Sequence, residues 1–336
     1  MNRQKDLKVL TAAICFLVLI LDSKTAIAGA KSGISLCMNS IIPALLPFCI
    51  LSKLICSSLL GSNIPIFSKL GKALGMPGGT ESIFLLSLLG GYPIGAQCID
   101  DAYKTGSITK TDAARLLGFC NNAGPAFLFG IASHLFPTLR PIWYLFFIHI
   151  LSAIFVGLLI PGKSDCTCKI KPNGNITLIQ AIEESIKTMS LVCSWIIIFK
   201  IILSFISAWF SWMLNESTYA TLAGLLELSN GCFALQAVSN LGLRYILCAL
   251  FLSFGGGCVA LQTLSVTKRC GIGVYFPGKL LQASFSILLS VLSQFWIFSG
   301  NDAFRSSGNI LLSGIVLGAF SLFLLRKTKK VVAFAK

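Results

Sequence analysis

Polar side chains lie beside glycine and proline at several interruptions of the apolar sequence, where they could bind a solute. The first interruption is the segment GGYPIGAQ, residues 90–97, which directly follows the apolar stretch SIFLLSLL. Glycine destabilises a helix and proline removes a backbone donor, so this segment predicts a broken helix. Inside a bilayer, irregular backbone persists only where it is buried in protein or lines a wet cavity. The free amides and carbonyls of such a break could therefore coordinate a solute.

Three further interruptions follow, at 121–125, 229–231 and 255–257. Half-helices that begin at such breaks would present partial positive charge to an anion. Any single break could instead serve tight helix packing through small residues. Any single polar side chain could instead form a hydrogen bond between helices. Four breaks favour a binding site. The candidate ligands share a neutral character and lie in or near the breaks: Gly91, Tyr92, Pro93, Gly95, Gln97, Asn121, Asn122, Gly124, Asn230, Gln236, Gly256 and Gln262.

Two charged residues within apolar surroundings are candidates for a counter-ion or a coupling group. Each such charge costs roughly 2.5–3.5 kcal/mol at a helix centre. Lys200 lies in the run IIIFKIILSF and could neutralise a substrate or extend its ammonium to the membrane interface. Glu227 precedes the 229–231 break. It could carry a coupling proton, because burial favours the neutral acid, or it could pair with a lysine.

Other charged and titratable residues suggest no catalytic site. Asp100, Asp101 and Arg115 are expected at the water boundary, and His134 and His149 are expected to pack rather than to bind metal. The sequence contains no Ser-His-Asp constellation, Walker loop or zinc-type spacing, so neither an enzyme nor a bound cofactor or metal is expected. Cys166 and Cys168 form a C-x-C pair, which is a weak metal or disulfide signal.

The composition indicates an integral membrane protein. Hydrophobic residues make up 55% of the chain, charged residues only 12%, and the mean hydropathy is +0.83. Soluble proteins carry about 25% charged residues. The net charge of +15 is typical of cytoplasmic loops near anionic lipid, and no basic folded patch suggests a nucleic acid partner. We expect an all-α polytopic protein with about eight membrane spans, some of them broken or re-entrant.

The basic start MNRQKDLK and the apolar segment after it predict a first span at about 9–28. Ala26–Ala28 resembles a signal-peptidase site, but a retained span is the simpler interpretation. Basic residues at both ends, including RKTKK at 326–330, predict that both termini face the cytoplasm. A second span is expected at about 34–60 and another at about 141–160. Thr109 and Asp112 predict a capping box at the start of a polar helix.

The second half of the sequence repeats the pattern of the first. LLGGYPIGAQ aligns with ELSNGCFALQ, and GFCNNAG aligns with SFGGGCV. The order in both halves is a long helix, two broken segments and a span, which is typical of a duplicated transporter core whose repeats can be inverted. The predicted organisation is a first span (1–28), a first repeat (29–160), a linker (161–175), a second repeat (176–300) and a final span with a basic tail (301–336).

Several stretches resemble a known family. The segments PALLPF, GGYPIGA, NNAGPAFLFG, GLLELSNG, SFGGGCVALQ and HILSAIFVG are similar to the YlbJ (SpoVV) sporulation integral membrane proteins of endospore-forming Firmicutes. That family belongs to the wider group with nucleoside-recognition gate domains. The resemblance covers nearly the whole chain, and GYP-x-GA and N-x-A-P are its most specific parts. It implies two gate-type repeats.

The resemblance also implies a function. Members of this family are associated with moving dipicolinic acid (pyridine-2,6-dicarboxylate) from the mother cell across the outer forespore membrane. The expected partners are thus a small anionic solute and the lipid bilayer, and a homo-oligomer is left open. The expected mechanism is that of an alternating-access or elevator-like carrier. A carrier of a nucleoside, metal ion or wall precursor, and a spore-envelope assembly factor that transports nothing, are the alternatives.

Overall fold

The computed structural model describes residues 3–59, 65–160, 162, 176–267, 270–271, 273–298, 303 and 307–334, and these contain helices but no strand. The helices of the first half are α1 (Arg3–Leu21), α2 (Ser23–Leu36), α3 (Ile42–Leu59), α4 (Pro65–Ala73), α5 (Glu81–Gly90), α6 (Ile94–Lys104), α7 (Lys110–Leu117), α8 (Pro125–Ile131) and α9 (Arg140–Leu159). Those of the second half are α10 (Leu178–Phe210), α11 (Glu216–Leu226), α12 (Leu228–Ala234), α13 (Leu241–Phe254), α14 (Gly256–Val266), α15 (Tyr275–Ile297) and α16 (Ser307–Phe334).

Six helical segments in the described part of the chain are long and apolar enough to cross a bilayer. They are Ser23–Ile55, Arg140–Leu159, Leu178–Met213, Leu241–Val266, Tyr275–Ile297 and Gly308–Lys327. Shorter apolar helices lie at Leu7–Leu21, Glu81–Gly90 and Pro125–Leu135. Large apolar side chains such as Phe48, Ile198 and Leu312 are exposed on the long helices, as lipid contact requires. The chain is an integral, multi-pass, all-helical membrane protein.

A helix boundary lies inside the first predicted span, about 9–28. Helix α1 ends at Leu21, and the Asp22 carboxylate accepts the Thr25 N–H at 3.2 Å as the N-cap of α2. Residues 23–28 therefore begin the next helix, which passes through a π turn at Cys37–Ile41 into α3. An acidic N-cap at the end of an apolar run is the local signal that places the boundary here.

Small residues bring the long helices into close contact. Gly29 and Gly33 of α2 lie against the backbone of α10, where an added Cβ would be 3.0 Å from the Cα atoms of Ile201 and Ile197. Gly314 and Gly318 of α16 lie against the side chains of Ile287 and Ser284 on α15, and Ser284 donates its hydroxyl to the Gly314 carbonyl. Both pairs have the G-x-x-x-G spacing that lets membrane helices approach each other.

Within the described residues, four helix interruptions lie near the predicted breaks: between α5 and α6, α7 and α8, α11 and α12, and α13 and α14. The predicted breaks at 90–95, 121–125 and 255–257 are confirmed at residues 91–93, 118–124 and Gly255. The break predicted at 229–231 is wrong, because those residues are helical within α12 and the interruption is at Glu227. Glu227 has extended backbone and caps α12 with its own side chain, so the acid rather than the glycine ends the preceding helix.

Other predictions from the sequence differ in their outcome. The capping box of Thr109 and Asp112 is present at the start of α7. The predicted linker 161–175, with Cys166 and Cys168, lies outside the described residues except for Gly162. The domain boundaries and the duplication stay predictions.

Candidate solute-binding site

The two breaks of the first half cross each other at glycine. Gly91 has φ +72° and ψ −169°, a backbone conformation that essentially only glycine adopts. A Cβ on Gly91 would lie 2.8 Å from the Gly124 backbone nitrogen, and a Cβ on Gly124 would lie 3.0 Å from the Gly91 Cα. A Cβ on Gly95 would overlap the Cys120 carbonyl oxygen. The sequence GGYPIGA therefore places two irregular backbone segments in direct contact.

The breaks of the second half also meet at glycine. A Cβ on Gly231 would overlap the backbone of Gly224, which folds α12 tightly back onto α11. Gly256 has φ +74°, and its Cβ would lie 3.0 Å from the Gly224 carbonyl oxygen. Both breaks of this half thus contact Gly224, and a residue with a side chain at Gly231 or Gly256 would push them apart.

A cavity of about 50 Å³ lies where breaks from both halves converge. A cavity needs about 10–15 Å³ to hold one water molecule, so this one has room for a few. The rest of its wall is mostly apolar, with Phe48 and Phe127 among the lining residues. Of the candidate ligands predicted from the sequence, the wall contains Gly91, Tyr92, Gly124, Glu227 and Gln262.

Glu227 is the charged group of the cavity wall, and it is 2% exposed. Its carboxylate accepts the Ser229 N–H at 3.0 Å, and the Asn230 N–H and side-chain amide at 2.6 and 2.9 Å. These donors all come from the first turn of α12, so the acid is satisfied within its own segment. Charged acceptors of this kind form the stronger hydrogen bonds in proteins.

Gln262 projects into the cavity from α14 with little competition from the protein. Its side-chain amide donates to the Cys258 sulfur at 3.2 Å, which is a weak acceptor. Tyr92 has a stronger tie, because its hydroxyl donates to the Leu252 carbonyl at 2.7 Å. That carbonyl belongs to the last turn of α13, where helical carbonyls have no partner within their own helix. Tyr92 therefore joins the first-half break to the second half.

The remaining candidate ligands do not line the cavity. Asn121 donates to the Thr263 hydroxyl at 2.8 Å, and Asn230 supports Glu227. Gln97 is half-buried and accepts from Lys53 at 3.5 Å, while Gln236 is exposed. Pro93, Gly95, Asn122 and Gly256 are buried behind the wall.

Lys200, the predicted counter-ion, does not line the cavity either. It is half-buried on α10, and its Cβ lies 3.3 Å from the position that a Cβ on Gly33 would occupy. It therefore belongs to the contact between α2 and α10.

A buried polar cluster next to the cavity was missed by the sequence reasoning. Lys279 and Gln282 of α15 are both 0% exposed. The Lys279 ammonium donates to Gln282 Oε1 at 2.8 Å and lies 3.5 Å from Asn122 Oδ1, and Gln282 donates to Asn122 Oδ1 at 3.0 Å. The ammonium also lies 5.6 Å from the centre of the Tyr92 ring. A lysine at the start of a span, three residues before a glutamine, was the available signal.

His149 supports the second break of the first half. It is 1% exposed, and its Nε2 accepts the Ala123 N–H at 3.0 Å, while its Nδ1 lies 3.4 Å from the Ser253 hydroxyl. The prediction of a packing residue thus understates its contacts, because it satisfies a backbone donor of a non-helical segment.

Two charges expected at the water boundary are buried instead. Arg115 is 5% exposed and donates to the carbonyls of Leu74, Gly75 and Ile160, and burial lowers its pKa. Asp100 is 2% exposed and forms an ion pair with Lys104. Arg115 thus holds the ends of α4 and α9 together, because the last carbonyls of a helix need donors.

Comparison with known proteins finds a partial match. The chain is 30% identical over 115 residues, 30% of its own length, to the Bacillus subtilis (strain 168) protein named "Sporulation integral membrane protein YlbJ". The matched part spans only 26% of that relative. No family model and no solved structure matches. The chain is therefore similar, over part of its length, to a sporulation membrane protein.

Proposed function

We propose that this protein is a carrier that moves dipicolinic acid across a membrane of the sporulating cell. The observation that carries the proposal is the convergence of helix breaks from both halves on one cavity. Irregular backbone at membrane depth is tolerated where it lines a cavity, and transporters use such discontinuous helices for their substrate sites. The resemblance to sporulation proteins and the name of the matched relative supply the cellular context.

The proposal includes a direction and a place. By the resemblance, the carrier lies in the outer forespore membrane and moves the acid from the mother cell towards the forespore. The basic ends of the chain support a topology in which both termini face the cytoplasm. The order of elements supports a duplication, because a long helix, two broken pairs and a span occur in each half. Inverted repeats of this kind would exchange roles in alternating access.

The size of the cavity requires movement. A pyridine dicarboxylate is much larger than the few water molecules that about 50 Å³ accommodates. The crossing segments at Gly91 and Gly124 must therefore separate when the solute enters. In this scheme Glu227, the acid of the cavity wall, is the candidate carrier of a coupling proton.

A neutral solute such as a nucleoside is the second candidate. Among the described residues, the wall is mostly apolar and contains a carboxylate and an amide but no cation, and such a surface suits a solute with hydrogen-bond donors. Competition between unlabelled nucleoside and labelled dipicolinate separates the two candidates.

The test is uptake of labelled dipicolinate by purified protein in liposomes, with and without a pH gradient. We expect uptake above that of protein-free liposomes. Gln262→Leu should reduce it by roughly tenfold or more, because a hydrogen bond to a charged group contributes about 1.5–3 kcal/mol. Gln236→Leu is the matched control on an exposed position and should transport normally. Absence of uptake by well-folded protein under both conditions would reject dipicolinate as the cargo.

A further inference from the structure

Lys279 is a fully buried cation without an anionic partner in the described part of the chain. Lysine is almost never fully buried unless it is paired. The ion pairs among the described residues involve Lys53 and Lys104, not Lys279. Its ammonium is surrounded by two amide oxygens and an aromatic ring, which are dipoles rather than charges. A buried charge with dipolar partners only is costly, and a ligand that supplies the missing charge would remove that cost.

The position of this ammonium is fixed by packing. The residue before it, Gly278, lies so close to Gly118 that an added Cβ would be 2.5 Å from the Gly118 carbonyl oxygen. The start of α15 is therefore seated directly on the second break of the first half. Asn122, in the same break, accepts from both Lys279 and Gln282. The lysine thus belongs to the broken segments and not to a distant part of the bundle.

Tyr92 connects this cluster with the cavity. It is a wall residue of the cavity, and its ring also faces the Lys279 ammonium at 5.6 Å. Gly124, two residues after Asn122, is a wall residue as well. The Tyr92 side chain therefore separates the cavity from the ammonium, and a rotation of that side chain would open the cavity to Lys279 and Gln282.

We propose that Lys279, Gln282 and Asn122 form the anion-binding end of the transport site, and that their ligand is a small organic carboxylate. This inference rests on the proposed function as a carrier and assigns the charge recognition within it. One ammonium neutralises one carboxylate, and the Gln282 side-chain amide, which here donates to Asn122 Oδ1, supplies an N–H donor. Asn122 positions both groups through its oxygen, because its own N–H groups bond to the Ser87 hydroxyl and the Phe119 carbonyl. The Tyr92 face accommodates a planar ring. The alternative is that Lys279 is purely structural and only ties α15 to the break through Asn122. The two roles predict different effects of substitution.

The test measures binding to the purified full-length protein in detergent, with three probes: dipicolinate, its ring-carbon analogue isophthalate, and neutral dipicolinamide. We expect the wild type to bind at least one dicarboxylate tenfold or more tightly than the diamide. Lys279→Met should bring the affinities within about twofold of each other. Lys187→Met removes the same charge from an exposed position on α10 and should preserve the preference.

A second variant keeps the test decisive if Lys279→Met does not fold. Gln282→Glu is nearly isosteric and places a carboxylate at the position 2.8 Å from the ammonium. This internal anion should weaken dicarboxylate binding tenfold or more and leave diamide binding unchanged. Gln236→Glu, with the same charge change at an exposed position, should alter neither.

The outcomes separate this inference from the proposed function. Isophthalate binding that depends on Lys279, together with no dipicolinate uptake, supports the anion site and rejects the proposed cargo. Unchanged carboxylate preference in folded Lys279→Met, or wild-type dicarboxylate affinity in Gln282→Glu, overturns the anion site. A folded wild type that binds neither dicarboxylate overturns it as well, even if it transports a neutral solute.

Discussion

The helix breaks of the two halves are closed by glycine in the same way, but their polar groups are satisfied differently. In the first half, Asn121 donates to α14, the Asn122 oxygen accepts from α15, and His149 accepts the Ala123 N–H, while the Asn122 N–H groups bond to the Phe119 carbonyl of the same break and to Ser87. In the second half, Glu227 accepts its donors from the next turn of its own segment. The first-half break therefore has polar contacts that cross to the second half in addition to a local one, whereas the contacts of Glu227 are all local.

This difference has a consequence for movement. A shift of one half relative to the other would break the contacts of Asn121 with Thr263 and of Asn122 with Lys279 and Gln282, and would leave those of Glu227 intact. Polar groups released in this way become available to a solute, since buried donors and acceptors need a partner. The polar groups of the first half would thus become available only after such a shift. Glu227 of the second half would keep its position throughout.

The largest expected effect comes from the glycine contacts that both halves share. Gly95→Ala and Gly231→Ala each place a methyl group on a backbone atom that no side-chain rotation can move. Overpacking costs about 1–3 kcal/mol and occasionally more, and we expect the upper end here because the overlapped atoms belong to the backbone. We expect loss of the monodisperse peak in size-exclusion chromatography of the detergent-solubilised protein, in both variants alike.

Gly308→Ala is the control for this prediction. No atom lies within 4 Å of a Cβ at Gly308, and the residue is helical. Alanine there should be neutral or stabilise by up to about 1 kcal/mol. If either buried variant has the melting temperature of the wild type, the glycine crossing is not tight and the shared part of the comparison fails.

Glu227 offers a test of the local stabilisation in the second half. Glu227→Leu removes the acceptor of three N–H groups, and each buried donor without a partner costs about 1–3 kcal/mol. We expect a destabilisation of roughly 3 kcal/mol, seen as a lower melting temperature. Glu227→Gln keeps one oxygen acceptor and should cost about 1 kcal/mol. Because it cannot titrate, this variant should also transport without stimulation by a pH gradient. A stable Leu variant would show that the carboxylate is not the cap that holds α12.

The local features were predictable from the sequence, and the assembled site was only partly so. Glycine and proline act on their own backbone, so the break at 91–93 and the glycine break at Gly255 follow from residue type. The third break was placed two residues late, because an acidic side chain, and not the glycine, ends that helix. Local rules of this kind reach about one helical turn.

Which breaks share a cavity depends on packing between distant segments. Alignment with Gln97 predicts Gln236 as a ligand, yet Gln236 is exposed, in the 3₁₀ turn Leu235–Ala237 that follows the short helix α12. Lys279 lies near the start of α15, and no local pattern shows that a lysine at the start of a helix is buried. The Lys279 ammonium lies at the broken segment because it contacts Asn122, which is 157 residues away in the chain.

Substitutions of Tyr92 should have the smallest effect on stability. They distinguish the hydrogen bond of its hydroxyl from the contact of its ring with Lys279. Tyr92→Phe removes the hydrogen bond to the Leu252 carbonyl and keeps the ring beside Lys279. A net hydrogen bond contributes about 1 kcal/mol, so the melting temperature should fall by only a few degrees. The preference for dicarboxylate over diamide should stay within about twofold of the wild type. Tyr92→Leu also removes the aromatic face, which contributes about 0.5–2 kcal/mol to a nearby cation, so it should lower dicarboxylate affinity further, by a factor of a few. Equal loss of preference in Phe and Leu would show that the tie to α13, rather than the ring, positions the anion site.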